Sequence, residues 1–159
     1  MTTVRILAAA ALCAGCVSCG STGGITNAKR ISGVKTTAYT HSERDHRKYG
    51  AATATGEHLK YGKVRSAATD WSVYPVGTVF KIDGEPHLYQ VDDYGSALVG
   101  TNTIDLYKPT KRDMNAYGSK KVNIQVVKWG SFSKSLAIMK PRLKYPHIKQ
   151  MVQRIETNS

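Results

Sequence analysis

The clearest alternation in the chain lies at residues 121–129 (KVNIQVVKW), where Val122, Ile124 and Val126 interleave with Asn123 and Gln125. A two-residue period places the apolar set on one face, so this segment predicts a half-buried strand. Residues 34–40 (VKTTAYT) are rich in β-branched and aromatic side chains and predict the first strand of the folded domain. Residues 79–82 and 87–91 predict two more, joined by a loop containing the turn dipeptide Asp83-Gly84, and residues 104–107 another short one. Residues 41–63 are polar and punctuated by Gly, the pattern of a loop. A short helix is expected at 110–117, with Thr110 as N-cap, Asp113 three residues later and Gly118 as the stop. After Gly130 the chain reads as a Ser- and Lys-rich link. Pro146 then opens a terminal helix whose Ile148, Met151, Val152 and Ile155 share one face. That stripe predicts packing on the domain rather than a membrane anchor. Short strands, turn signals and little helix predict a mainly β fold, a small closed β-barrel with short helices and a C-terminal helix.

The N-terminus follows a different pattern. Arg5 precedes a short apolar run, residues 6–12, and then Cys13, Cys16 and Cys19 among small residues. The run is far shorter than the roughly 18 residues of a spanning helix and reads as an export signal. Cysteines behind an apolar stretch and before Gly-Ser-Thr-Gly-Gly match a lipoprotein signal, with Cys16 and Cys19 as the candidate lipidation sites. A plain secretory signal with incidental thiols is the simpler alternative. All three cysteines lie in this segment, so the rest of the chain holds no disulfide. The expected divisions are a signal at 1–19, a tether at 20–33, a barrel domain at 34–130, and a basic linker with the terminal helix at 131–159.

Charge is unevenly spread about a formal net value of +12. Six of the eleven acids fall from Asp70 to Asp105, and none lies between Asp113 and Glu156, where the basic residues include Lys134, Lys140, Arg142, Lys144, Lys149 and Arg154. A basic domain is drawn to polyanions. For an exported protein the expected partner is peptidoglycan with its carboxylate-bearing stem peptides, or an anionic membrane surface reached through the lipid anchor, and not nucleic acid. A merely solvated basic face is the alternative. His41, His46, His58 and His87 have no zinc-ligand spacing, and no metal site is expected.

The acids are placed unusually. Asp70, Asp93 and Asp105 each sit beside apolar, strand-like residues and turn-forming Gly or Pro, where a charge is rarely embedded unless it is paired or put to use. Asp92 and Asp93 are adjacent in a strand, so their side chains should leave on opposite faces and only one can face a shared site. Asp70 has two equal readings, as a substrate ligand or as a turn cap before Pro75. Ile104 and Leu106 flank Asp105 and are expected to shield it from water. Tyr39, Tyr94 and Trp71 are candidate sugar platforms, though an aromatic is more often core than platform.

Five segments in order resemble the 3D domain, named for its three aspartates and shared with the membrane-bound lytic transglycosylase A family. They are Thr37-Ala38-Tyr39-Thr40, Ala54-Thr55-Gly56, residues 68–78 with Asp70, Pro75 and Gly77, residues 93–100, and Ile104-Asp105-Leu106-Tyr107. Relative to the family spacing, one residue is inserted between Gly100 and Asp105. The resemblance implies a double-psi β-barrel and cleavage of the β-1,4 bond between N-acetylmuramic acid and N-acetylglucosamine, leaving a 1,6-anhydro end. It further implies Asp105 as the catalytic acid, Asp93 as its partner and Asp70 as the third acid, which leaves Asp92 as an expected outer-surface charge. Thr55, Gly56, Tyr94, Gly95 and Ser96 would line the glycan path with Tyr39.

Such a reaction needs one chemically active carboxyl, which protonates the leaving oxygen before the sugar's own C6 hydroxyl attacks, so no water, metal or cofactor is required. The acid must carry its proton near neutral pH. Two other readings remain: a wall-binding module without catalysis, and an inverting hydrolase with a second acid to activate water. The resulting expectation is an exported, monomeric, lipid-anchored envelope protein acting on glycan strands.

Overall fold

The computed structural model describes residues 29–43 and 50–158. The signal sequence, residues 20–28 of the tether, Cys16, Cys19 and His46 lie outside the described residues. Six strands are formed, β1 (Lys29–Tyr39), β2 (Val64–Ala68), β3 (Val79–Ile82), β4 (Leu88–Asp93), β5 (Ile104–Tyr107) and β6 (Lys120–Lys128). They close into a barrel in the order β1-β5-β2-β4-β3-β6. β1 pairs with β5, and β2 with β4, in parallel, and the other pairs are antiparallel. This mainly β architecture is the one expected, and it is consistent with a double-psi barrel.

Alternation explains the interior. Ala67, Phe80, Ile82, Tyr89, Val91, Ile104, Leu106, Ile124 and Val126 all point into one core and are at most 3% exposed. Three helices follow: α1 (Lys111–Tyr117), α2 (Phe132–Met139) and α3 (Pro146–Thr157). α1 starts as predicted, with the Thr110 hydroxyl accepting from the Asp113 N–H. On α3, Ile148, Met151, Val152 and Ile155 are buried in the main core. At about 1.5–3 kcal/mol for each large side chain taken from water, that stripe is ample reason for the helix to dock.

Three elements differ from expectation. β1 begins at Lys29, upstream of the predicted residue 34, because β6 is long enough to pair with it as far as Lys29↔Val126. The register shifts between Ile31 and Val34, where Gly33 has φ +69°, a left-handed conformation that favours glycine. β2 shows no alternation, since Ser66, Ala67 and Ala68 are all buried, and a strand covered on both faces has no polar side to advertise it. The link after Gly130 contains α2. Its Ser131 caps the Lys134 N–H, and the buried Ser135 hydroxyl accepts from the Val76 N–H at 3.0 Å, so the serines that suggested a loop are helix-capping and core-anchoring groups.

Candidate active site

The arrangement of acids is set by sheet register. Ala68 pairs with Asp105 on β5 and with Asp93 on β4, so the two acids stand on either side of one small residue. Residues opposite one another in register share a face, and here that face lies outside the apolar core. Tyr39, Ala68, Leu98 and Tyr107 form a second, smaller buried cluster there, with Leu59 against it.

Asp105 is half-buried and its Oδ1 accepts from the Thr37 hydroxyl at 2.7 Å, across the β1–β5 pairing that sets Thr37 opposite it. The residue inserted upstream does not displace it. Gly100 at φ +81° and Asn102 at φ +52° bend the preceding turn, and β5 enters the barrel in register. Ile104 and Leu106 do not shield Asp105, contrary to expectation, because strand alternation turns both into the core.

Asp93 is 6% exposed. Its Oδ1 accepts from the backbone N–H groups of Ala54 (3.1 Å) and Tyr94 (2.9 Å), and its Oδ2 from the Tyr39 hydroxyl (3.3 Å). Tyr39 sits among the acids. Burial, followed by the charges of Asp93, Asp92 and Asp105, holds its phenol well above the usual tyrosine range, so it remains a hydrogen-bond donor. Tyr39 therefore reports three nearby carboxylates, and it is buried rather than displayed as an open sugar platform.

The third of these carboxylates is Asp92, expected on the outer surface but only 2% exposed. The reason is a bulge. Ala67 pairs with Val91 and Ala68 with Asp93, which leaves Asp92 as the extra residue on β4 and breaks the alternation that would separate adjacent side chains. Asp92 Oδ2 accepts from the Ser66 hydroxyl at 2.8 Å and from Lys60 Nζ at 3.3 Å, whereas its buried Oδ1 has no hydrogen-bond partner among the described residues. Burial raises its pKa to about 6, against the opposing pull of Ser66 and Lys60, and Asp93 adds to the rise. Lys60 in turn bridges to Glu57 at 2.6 Å. Burial works against the Lys60 charge, but the two acids outweigh it and hold the ammonium above its ordinary value.

A carboxyl that titrates higher in the folded state than in the unfolded chain binds more protons when folded, so its contribution to stability falls as pH rises from about 4 to about 6. A shift of this size corresponds to about 3 kcal/mol. Asp92→Asn is therefore expected to stabilise the fold above pH 7 by about 1–3 kcal/mol and to change little near pH 4. Urea unfolding at the two pH values checks this, and equal effects at both would exclude the assignment.

Asp70 lies apart from this cluster and is not among the acids acting on Tyr39. It is 1% exposed. Its Oδ1 accepts from the N–H and hydroxyl of Ser72 at 2.9 and 2.6 Å, and its Oδ2 from the Gly100 N–H at 2.8 Å and Arg154 Nη1 at 3.1 Å. One carboxylate thus joins the turn after β2, the loop before β5 and helix α3. A Cβ at Gly100 would meet the Arg154 guanidinium at 3.0 Å, so the junction is tight.

The remaining predicted residues surround the acids to different degrees. Thr55 bonds the Thr53 hydroxyl at 2.8 Å, and Gly56 is exposed with φ +85°, in the loop that brings Ala54 to Asp93. Tyr94 is half-buried and edge-on to Trp71 at 4.9 Å. Trp71 is fully buried and donates from Nε1 to the Asp93 carbonyl at 2.8 Å, which makes it core and excludes it as a platform. Gly95 is extended, with φ −135°, a conformation open to any residue, and it precedes the 3₁₀ turn Ser96–Leu98. Ser96 is exposed. Sequence reading missed Asp92, Thr37 and Lys60. The Asp92-Asp93 doublet was itself a signal, since two adjacent acids in a buried strand fit an irregular strand better than a regular one.

Among the described residues no group of three or more His, Cys, Asp or Glu side chains has metal-holding geometry, and no helix is long and apolar enough to cross a membrane. A hollow lined by Leu143, Lys149, Val152, Gln153 and Glu156 contains none of the clustered acids.

Residues 65–128 match the family model described as the 3D domain. Among solved structures, the crystal structure of MltA from E. coli is similar at 22% identity and a TM-score of 0.39, over 50% of this chain and 28% of that one. No curated protein gives a significant match. The stretch bearing Asp70, Asp92, Asp93 and Asp105 is thus the part of the chain that matches the 3D domain family.

Proposed function

We propose that the barrel is a lytic transglycosylase of the bacterial cell envelope, cleaving the β-1,4 bond between N-acetylmuramic acid and N-acetylglucosamine in peptidoglycan. The observation that carries this reading is the convergence of Asp93 and Asp105 across Ala68 on one face. Asp105 is the more open of the two and is the general acid in this reading. It gives its proton to the glycosidic oxygen as the C1–O bond breaks. The C6 hydroxyl of the same muramyl sugar then closes on C1, and the Asp105 carboxylate takes that hydroxyl's proton. Atoms balance without water, and the acid is regenerated.

Asp93 is the partner acid, fixed by Ala54, Tyr94 and Tyr39, and it favours positive charge at the anomeric carbon. Asp70, with four protein donors, braces the fold in this reading and takes no part in the chemistry. The lipoprotein-like signal with Cys16 or Cys19 would tether the domain at a membrane beside its substrate.

Incubating the protein with purified sacculi and weighing the released fragments tests the reaction. Anhydro-ended muropeptides are expected. Reducing ends would identify a hydrolase instead, and binding without release a non-catalytic module.

A further inference from the structure

Arg142 is held differently from the two ion-paired cations of the acid-poor C-terminal segment. Lys140 pairs with Glu156 and Arg154 with Asp70, whereas no carboxylate among the described residues pairs with Arg142. It is nevertheless half-buried and held in place. Its Nη1 donates to the Ala54 carbonyl and to the Tyr94 hydroxyl, both at 3.0 Å. These bonds fix the guanidinium from one nitrogen, and no described protein acceptor engages its Nε and Nη2 edge. A planar fork with one edge anchored and the other open suits bidentate capture of a carboxylate. Withdrawing a guanidinium from water without an acid partner has a cost, which an anionic ligand would relieve.

Its place relative to the acids gives this fork a direction. Both of its anchors, Ala54 and Tyr94, donate their backbone N–H groups to Asp93 Oδ1. An anion on Arg142 would therefore sit one residue away from the acid cluster, on the side of the C-terminal segment. Asp92 and Asp93 repel a carboxylate, and Arg142 attracts one. A chain carrying both sugars and carboxylates would be sorted across this boundary.

Resting on the glycan-cleaving reading, we propose that Arg142 is a binding residue for a carboxylate of the peptide borne by the muramyl sugar. It would set the peptide towards α2 and α3 while the glycosidic bond lies against Asp105. The C-terminal segment thereby supplies a specificity-determining wall for the site as well as cover for the barrel.

Co-sedimentation with intact sacculi and with sacculi stripped of their peptides by an amidase tests the assignment. Wild-type protein should bind the intact form more tightly. Arg142→Gln should weaken binding to intact sacculi by about tenfold or more, the scale of a lost charge-assisted pair, and the loss on stripped glycan should be far smaller. Arg142→Lys, which keeps the charge but not the fork, should recover only part of the affinity. Equal losses on both polymers would show that Arg142 merely braces Ala54 and Tyr94, and would overturn the proposal. A wild-type protein indifferent to the peptides would overturn it as well. Preference for intact sacculi together with absence of anhydro ends would retain the Arg142 assignment and remove only the lytic reaction.

Discussion

Asp70→Ala is expected to lower the unfolding free energy by about 3–5 kcal/mol, the sum of several part-buried donors left without an acceptor at about 1–3 kcal/mol each. The carboxylate it deletes is 1% exposed and serves four donors. Without it the Ser72 and Gly100 amides lose acceptors in a part-buried junction, and Arg154 loses its counter-charge. Since small domains are stable by only about 5–15 kcal/mol, such a loss would bring the variant close to unfolding at physiological temperature. Arg154→Ala should cost less, because that side chain is 39% exposed and Asp70 would keep three of its donors. Denaturant unfolding of the two single variants and the double variant checks both statements. An Asp70→Ala protein within about 0.5 kcal/mol of wild type, the scatter of ordinary surface changes, would reopen this acid as a chemical participant.

The readable parts of the fold were those governed by periodicity and capping. The alternation of β6, the Thr110 cap and the apolar stripe of α3 are local patterns, and each appears where the sequence placed it. What escaped depends on neighbours. β2 has no polar face, so nothing in Ser66-Ala67-Ala68 announces a strand until β4 and β5 are seen on both sides of it. Ser131 and Ser135 look like linker residues until Lys134 and Val76 supply their donors.

At the site the same division holds. The motif order singled out Asp93 and Asp105, and register brings them together across Ala68. Strand alternation, with the motif choosing Asp93 for the site, sent Asp92 to the outer face, because the bulge that breaks the alternation is fixed by the pairing of β4 with β2. Trp71 was ambiguous between platform and core. Its hydrogen bond to the Asp93 carbonyl decides for the core, and it supports the backbone from which that acid projects.

The largest functional effect is expected at Asp105. If it is the proton donor, Asn at this position keeps the shape and the hydrogen bond from Thr37 but has no acid to give. A positioned general acid contributes about 10²–10⁴-fold to rate, so release should fall by at least that order. Stability should shift by no more than about 0.5–1 kcal/mol, since the side chain is half-exposed and the replacement nearly isosteric. The contrast with Asp70→Ala is the useful part: one variant should fold and not cleave, and the other should fail to fold well.

Anhydro-muropeptide release from sacculi by wild-type and Asp105→Asn proteins, measured side by side with their thermal midpoints, is the most direct test. The expected result is anhydro ends from the wild type alone, with nearly equal midpoints. Comparable release by the folded variant would contradict the assignment of the proton to Asp105 and the reading of this face as the place of cleavage.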